Sequence, residues 1–210
     1  MFDQKTPNSL LLQTYSQWAP PAGSKIFVPL CGRSIDMSWI RAQGHAIIGI
    51  ECAQSAVKNY FELHYHDYKL IPHFNAYTTY EADLCTILVG DFFNLDTKFT
   101  KDCLGCYDRA SLVAMPAKMR IDYSQKMAQL MPPGSRTLLL TFEYETPDLI
   151  GPPFSVKALE IQDLYGANFQ IKELQRIKTI PKNPKFLDAG IPSVSEVVTL
   201  LIRKSKTQIT

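Results

Sequence analysis

The sequence predicts an α/β fold: an open, doubly wound sheet, mostly parallel, with an antiparallel C-terminal edge. Three observations predict it. Short apolar runs of buried-strand length alternate with segments of helical periodicity. Two of these runs flank one helix, giving a strand–helix–strand unit. Charged residues stand just past the ends of several runs. With 210 residues, 46 % apolar and 20 % charged, the chain is long enough for one domain and short for two separate cores. A domain of this size buries roughly 70 % of its unfolded surface. A single domain over residues 1–210 is therefore expected, with no repeat or linker interrupting it.

The first strand covers residues 25–29 and is followed by Leu30-Cys31-Gly32-Arg33 and by Ser34 in helix N-cap position. Ile35, Trp39 and Ala42, spaced i, i+4 and i+7, mark the expected sheet-facing side of that helix, and Gly44 stands where a left-handed C-terminal residue is needed. Residues 46–50 form the second strand, which ends in Glu51. A helix opened by Ser55 carries Val57, Tyr60 and Phe61 on one face. Residues 76–81 and 84–90 read as a hairpin around Ala82-Asp83, running out at Asp91-Phe92. Residues 105–108 give another strand. Pro116 then opens a helix whose Met119, Tyr123, Met127 and Leu130 share a face, and Met131-Pro132-Pro133-Gly134 stops it. A central strand at 137–142, a loop through Gly151-Pro152-Pro153-Phe154, a helix at about 155–165 and late strands near 169–177 and 196–203 complete the reading.

Several function classes are disfavoured at once. Twenty-two Lys and Arg against 20 Asp and Glu leave a net charge of +2 with no long basic run, which argues against a nucleic-acid partner. Apolar stretches do not exceed strand length, and no apolar segment follows a basic start, so neither a membrane span nor a secretion signal is expected and the cytoplasm is the expected location. Five cysteines, an odd number, point to reduced thiols. Cys103-Leu104-Gly105-Cys106 lacks a second Cys or His pair at ligand spacing, so no metal is expected. Cys31 reads as a packed side chain, His64 and His66 as solvated, and Tyr60, Phe61, Tyr65 and Tyr68 as core and helix surface.

Ligands in such sheets bind beyond the carboxyl ends of the strands, which singles out residues 30–33, Glu51, Asp91-Phe92 and Asp108-Arg109. Glu51 follows Gly32 at about the interval at which dinucleotide folds place a ribose-binding acid, and two acceptor oxygens suit a ribose diol. A solvated loop carboxylate is the alternative reading. The loop after the first strand holds one glycine, Gly32, and neither G-x-G-x-x-G nor G-x-x-x-x-G-K-[ST]. A pyrophosphate cofactor, and with it a nicotinamide dehydrogenase, is disfavoured. S-adenosyl-L-methionine carries an adenosine but no phosphate and meets both conditions.

Three blocks in order, Phe27-Val28-Pro29-Leu30-Cys31-Gly32-Arg33-Ser34-Ile35-Asp36-Met37, Tyr107-Asp108-Arg109-Ala110-Ser111-Leu112-Val113-Ala114-Met115 and Gly151-Pro152-Pro153-Phe154, resemble those of the thiopurine S-methyltransferases, a likeness covering about residues 2–203. The resemblance implies a Rossmann-like methyltransferase sheet. It further implies that Leu30 and Gly32 contact the methionine part of the cofactor, Glu51 the ribose, Asp91 and Phe92 the adenine, and Arg109 the acceptor. Arg109 paired structurally with Asp108 or a nearby Glu is the alternative. Phe2 matches an aromatic of the family at the acceptor site, and Lys185 is the nearest match to a second basic residue there. The family's lid helix, with two tryptophans four apart, has no counterpart, since Trp18 and Trp39 are the only tryptophans and Trp39 is expected to face the sheet. The expected activity is methyl transfer to a small thiol such as an aromatic or heterocyclic (thiopurine-like) thiol, with selenium and tellurium species also in range. No acid or base is assigned to catalysis; orientation and desolvation are the expected contributions. A monomer acting on a small molecule is expected, with cofactor affinity kept and turnover slowed by the missing lid. A non-catalytic module that holds a nucleoside or S-adenosylmethionine is the rival reading.

Overall fold

Five parallel strands make the centre of the sheet. In the computed structural model, which describes residues 4–72, 77–145, 151–181, 184–205 and 207, the strands are β1 (Lys25–Val28), β2 (Ala46–Glu51), β3 (Lys69–Pro72), β4 (Thr78–Ala82), β5 (Cys85–Val89), β6 (Cys103–Arg109), β7 (Arg136–Glu143), β8 (Phe169–Thr179) and β9 (Val194–Arg203). They lie in the order β3-β4-β5-β2-β1-β6-β7-β9-β8. The neighbours from β5 through β7 pair in parallel, and antiparallel pairs close both edges. The chain moves outward from β1 to β2 and β5, then crosses back to β6 on the other side of β1. The crevice above β1 and β6 is therefore the topological switch point at which open α/β sheets hold ligands.

Helices α1 (Ser9–Trp18), α2 (Ile35–Ala42) and α3 (Gln54–His64) cover one face, and α4 (Ala117–Leu130) and α5 (Ala158–Tyr165) the other. A short helix, α6 (Pro184–Asp188), lies between β8 and β9. Alternation along the strands builds the two cores: Ile26, Val28, Tyr107 and Leu138 pack toward the first three helices, and Phe27, Cys106 and Leu139 toward the other pair. Ser34 caps α2 as expected, and Gly44 takes the left-handed backbone (φ +89°) beyond its end. No helix among the described residues is long and apolar enough to cross a membrane. All five cysteines are free thiols.

The structure corrects two helix faces. On α2 the buried residues are Asp36, Met37 and Ile40, whereas Ile35 and Trp39 are half-buried and Ala42 is exposed. Trp39 packs edge-on against Tyr15 of α1, with ring centroids 5.1 Å apart, because α1 covers the flank that the periodicity reading left open. On α4 Met119 is exposed and Arg120 is buried in its place, bonded to Glu160 at 2.7 Å. On α3 the buried trio is Val57, Tyr60 and Phe61, as expected. The elements not anticipated are α1, β3 and α6. Ala76, the expected start of the hairpin, and Phe2 lie outside the described residues.

Candidate active site

The crevice is built from strand ends. Past β1 the backbone turns through Leu30 in the left-handed region (φ 44°) and Gly32 (φ +54°). A non-glycine residue there is strained, and such strain collects at sites that need a fixed backbone. Ala110, just past β6, repeats the feature with φ 70°. Two neighbouring strands at the switch point thus end in side-chain-bearing residues held left-handed.

Glu51 closes β2 and reaches back over this loop. Its Oε2 accepts from the Gly32 N–H at 2.9 Å and its Oε1 from the Ala53 N–H at 2.8 Å, so the carboxylate is fixed while each oxygen keeps acceptor capacity. The Gly90 N–H donates to the Glu51 carbonyl at 2.9 Å, which ties the end of β5 to the end of β2. Asp91 follows there, exposed, its Oδ1 accepting from the Phe93 N–H at 2.9 Å and its Oδ2 from the Asn94 side chain at 2.9 Å. Phe92 turns inward and stacks on Tyr123 with centroids 4.7 Å apart, leaving Phe93 half-buried beside it. Leu30, Gly32, Glu51, Asp91 and Phe92 therefore gather along the ends of three adjacent strands. Fixed carboxylate oxygens and an open backbone, with no phosphate cradle, fit an adenosine that bears no phosphate.

Arg109 ends β6 on the other side of the switch point and opens into a cavity of about 350 Å³. Gln4, Asn8, Leu140, Phe142, Pro153, Phe186 and Glu196 are among its lining residues. Alternation on β6 sorts three successive side chains. Tyr107 and Arg109 turn toward α2, and Asp108 to the opposite face, where the Tyr123 hydroxyl donates to it at 2.7 Å. Burial pushes the Asp108 carboxyl up to about 6, against the hydrogen bond from Tyr123.

The partner of Arg109 is Asp36, not Asp108. Asp36 is fully buried in the first turn of α2, where the helix dipole favours a carboxylate. Its Oδ1 accepts from the Asn8 N–H at 2.7 Å, and its Oδ2 from the Tyr107 hydroxyl at 2.9 Å and from Arg109 Nη1 at 3.3 Å. Asn8 in turn caps α1, accepting from the Leu10 and Leu11 N–H groups. One carboxylate holds the guanidinium, a strand tyrosine and the start of α1 together. Lys185 sits exposed on α6 with Nζ 3.4 Å from the Pro152 carbonyl; its neighbour Phe186, rather than Lys185 itself, lines the cavity. Asp36, Asn8, Phe142, Phe186 and Glu196 escaped the sequence reading. Asp36 alone carried a signal there, an acid two residues past a helix N-cap inside the motif that ends the first strand.

The profile of the thiopurine S-methyltransferase family matches residues 1–204. The chain belongs to that family. It is accordingly an S-adenosyl-L-methionine-dependent methyltransferase, and membership decides between enzyme and binding module in favour of the enzyme. A thiopurine S-methyltransferase of Shewanella amazonensis is 37 % identical over 203 residues, 97 % of this chain and 93 % of the relative. One from Pseudomonas putida is 35 % identical over 202 residues, 96 % of this chain and 93 % of its own. Solved structures agree on the fold. A Burkholderia thailandensis 1,6-didemethyltoxoflavin-N1-methyltransferase with bound S-adenosylhomocysteine superposes with a TM-score of 0.60 at 14 % identity, over 94 % of this chain and 76 % of that one. An S-adenosylmethionine-dependent methyltransferase from Methanosarcina mazei gives 0.62 at 12 % identity, over 95 % of this chain and all of that one.

Proposed function

We propose that this family member transfers the methyl group to the sulfur of a small aromatic or heterocyclic thiol, and to selenium or tellurium analogues, held in the Arg109 cavity, and that it works in the cytoplasm. One observation carries the reading: a guanidinium fixed by a buried carboxylate opens into a cavity of mixed apolar and polar lining, sized for a small ring system, beside the strand-end crevice. The bound cofactor supplies a methyl group on a cationic sulfur. Leu30 and Gly32 hold its methionine part along the loop backbone, Glu51 accepts from the ribose hydroxyls, and Asp91 with Phe92 bounds the adenine. Arg109 orients an anionic or polar acceptor, and Lys185 stands next to Phe186, which lines the cavity, as the second basic residue assigned to the acceptor; the acceptor role of Phe2 rests on the family resemblance alone. The walls of Leu140, Phe142 and Phe186 exclude water, so alignment rather than polarisation by the protein does most to lower the barrier.

Calorimetric titration with S-adenosylhomocysteine followed by a methyl-transfer assay on thiophenol tests the reading. Saturable binding and a methyl thioether product are expected. Cofactor binding with no transfer to any aromatic thiol, selenol or tellurol would overturn the acceptor assignment.

A further inference from the structure

We propose that Glu196 is the group that takes the proton from the acceptor thiol during methyl transfer. The proposal rests on the thiol-acceptor reading above and adds to it a residue that the motifs do not mark. Glu196 lies on β9 opposite Phe142 of β7, and Arg109 lies on β6 opposite Leu140 of the same strand. Leu140 and Phe142 are two residues apart, so the four side chains leave the sheet on one face. Both Glu196 and Arg109 line the cavity. Two strand spacings and one two-residue step place their Cα atoms roughly 12 Å apart, a distance that two long side chains span with a small ring between them.

The charges around the cavity favour this role. Arg109 is already paired with Asp36, and Glu196 adds a second carboxylate to that one guanidinium among the described residues. A charged Glu196 beside the acceptor sulfur disfavours a thiolate there, and a thiol that binds neutral must lose its proton as its sulfur bonds to the methyl carbon. The balance closes with one acceptor: the sulfur–hydrogen pair becomes the new sulfur–carbon bond, the bond from the methyl carbon to the donor sulfonium breaks with its pair left on the departing thioether sulfur, and the proton passes to a Glu196 carboxylate oxygen and on to solvent through the cavity mouth at the exposed Ile180. Burial raises the proton affinity of Glu196 above that of an ordinary carboxylate, with Arg109 opposing, which makes it a stronger base than an exposed acid. Asp36, the other carboxylate at Arg109, already accepts from the Asn8 N–H, the Tyr107 hydroxyl and the guanidinium and is fully buried. Glu143 of β7 points to the other face and is held by Arg176 at 2.8 Å, Ile177 is the β8 neighbour, and Gln4 and Asn8 approach from the N-terminal side uncharged.

The test compares acceptors of different acidity. kcat/KM is measured against pH for wild type, Glu196→Gln and Glu196→Asp with a weakly acidic alkyl-substituted aromatic thiol and with a nitro-substituted one already ionised at neutral pH. S-adenosylhomocysteine affinity and thermal midpoint serve as controls for folding. Glu196→Gln is expected to lose about 100-fold with the weakly acidic thiol and at least tenfold less with the ionised one, and Glu196→Asp to restore part of the loss. Equal losses on both thiols, or no loss on either, would overturn the proposal. Failure of the wild type to methylate either thiol would instead overturn the acceptor reading on which it rests.

Discussion

Replacing Asp36 with asparagine keeps the shape of the side chain and removes its charge. The carboxylate accepts three hydrogen bonds, from the Asn8 N–H, the Tyr107 hydroxyl and Arg109. An amide offers one acceptor oxygen and turns an NH2 toward groups of which two can only donate. Breaking a buried ion pair by removing one partner costs about 3–5 kcal/mol. Arg109 keeps 13 % exposure of its side chain and can turn partly to water through the cavity, which places the expected loss at the lower end, about 3 kcal/mol. For a chain of this length that is a fall of roughly 6–12 °C in thermal midpoint. Urea titration should show a lower midpoint at unchanged slope, and acceptor KM should rise as the guanidinium loses its anchor. A double-mutant cycle with Tyr107→Phe should reveal coupling. A loss below about 1 kcal/mol, or strict additivity in the cycle, would refute the idea that Asp36 organises this corner of the site.

Three further outcomes are expected. Glu51→Gln should weaken S-adenosylhomocysteine binding about tenfold, a loss on the order of 1–3 kcal/mol, because its NH2 would oppose the Gly32 or Ala53 N–H that the carboxylate now accepts; calorimetry checks it. Arg109→Lys keeps the charge but loses the planar fork, so kcat/KM for the acceptor should fall about tenfold while cofactor affinity holds, read from steady-state kinetics beside calorimetry. Asp108, with its carboxyl raised to about 6 by burial, binds its proton more tightly folded than unfolded. Its contribution to stability is therefore complete below about pH 4 and is lost as pH rises through 6, by about 2–3 kcal/mol. Asp108→Asn should remove that part of the slope in urea midpoints taken from pH 4 to 7.

Much of the fold was legible because the central strands are continuous apolar runs with turn residues at their ends. Lys25–Val28 and Ala46–Glu51 are bounded by Pro29 and Gly44, and a strand buried on both faces has no other pattern to show. The α1 helix was not legible even though Asn8 is a favoured N-cap, because its buried stripe of Leu10, Leu11, Thr14 and Trp18 passes through a threonine; Thr14 bonds back to the Leu10 carbonyl and so is buried without penalty. The faces of α2 and α4 were misjudged for one reason: each buries a charged residue, Asp36 or Arg120, whose partner lies 73 or 40 residues away. Periodicity counts apolar side chains and is blind to a charge that tertiary pairing makes tolerable. The strand-end residues of the crevice were legible from position alone. The acceptor cavity was not, since Phe142, Phe186 and Glu196 come together only when β7, α6 and β9 pack.

The left-handed backbone at Ala110 sets two selective pressures against each other. Glycine at that position would relieve strain worth about 1–3 kcal/mol and give up only a methyl group, less the roughly 0.5–1 kcal/mol by which glycine loosens the unfolded chain. At Leu30 the same exchange would forfeit a side chain packed on the core. A population of variants propagated for heat resistance alone would therefore drift toward glycine at 110, and would loosen the backbone next to Arg109 and strip a methyl group from the cavity wall. One propagated for turnover would retain alanine, and the disagreement between the two lineages at this codon would measure how much rigidity methyl transfer requires.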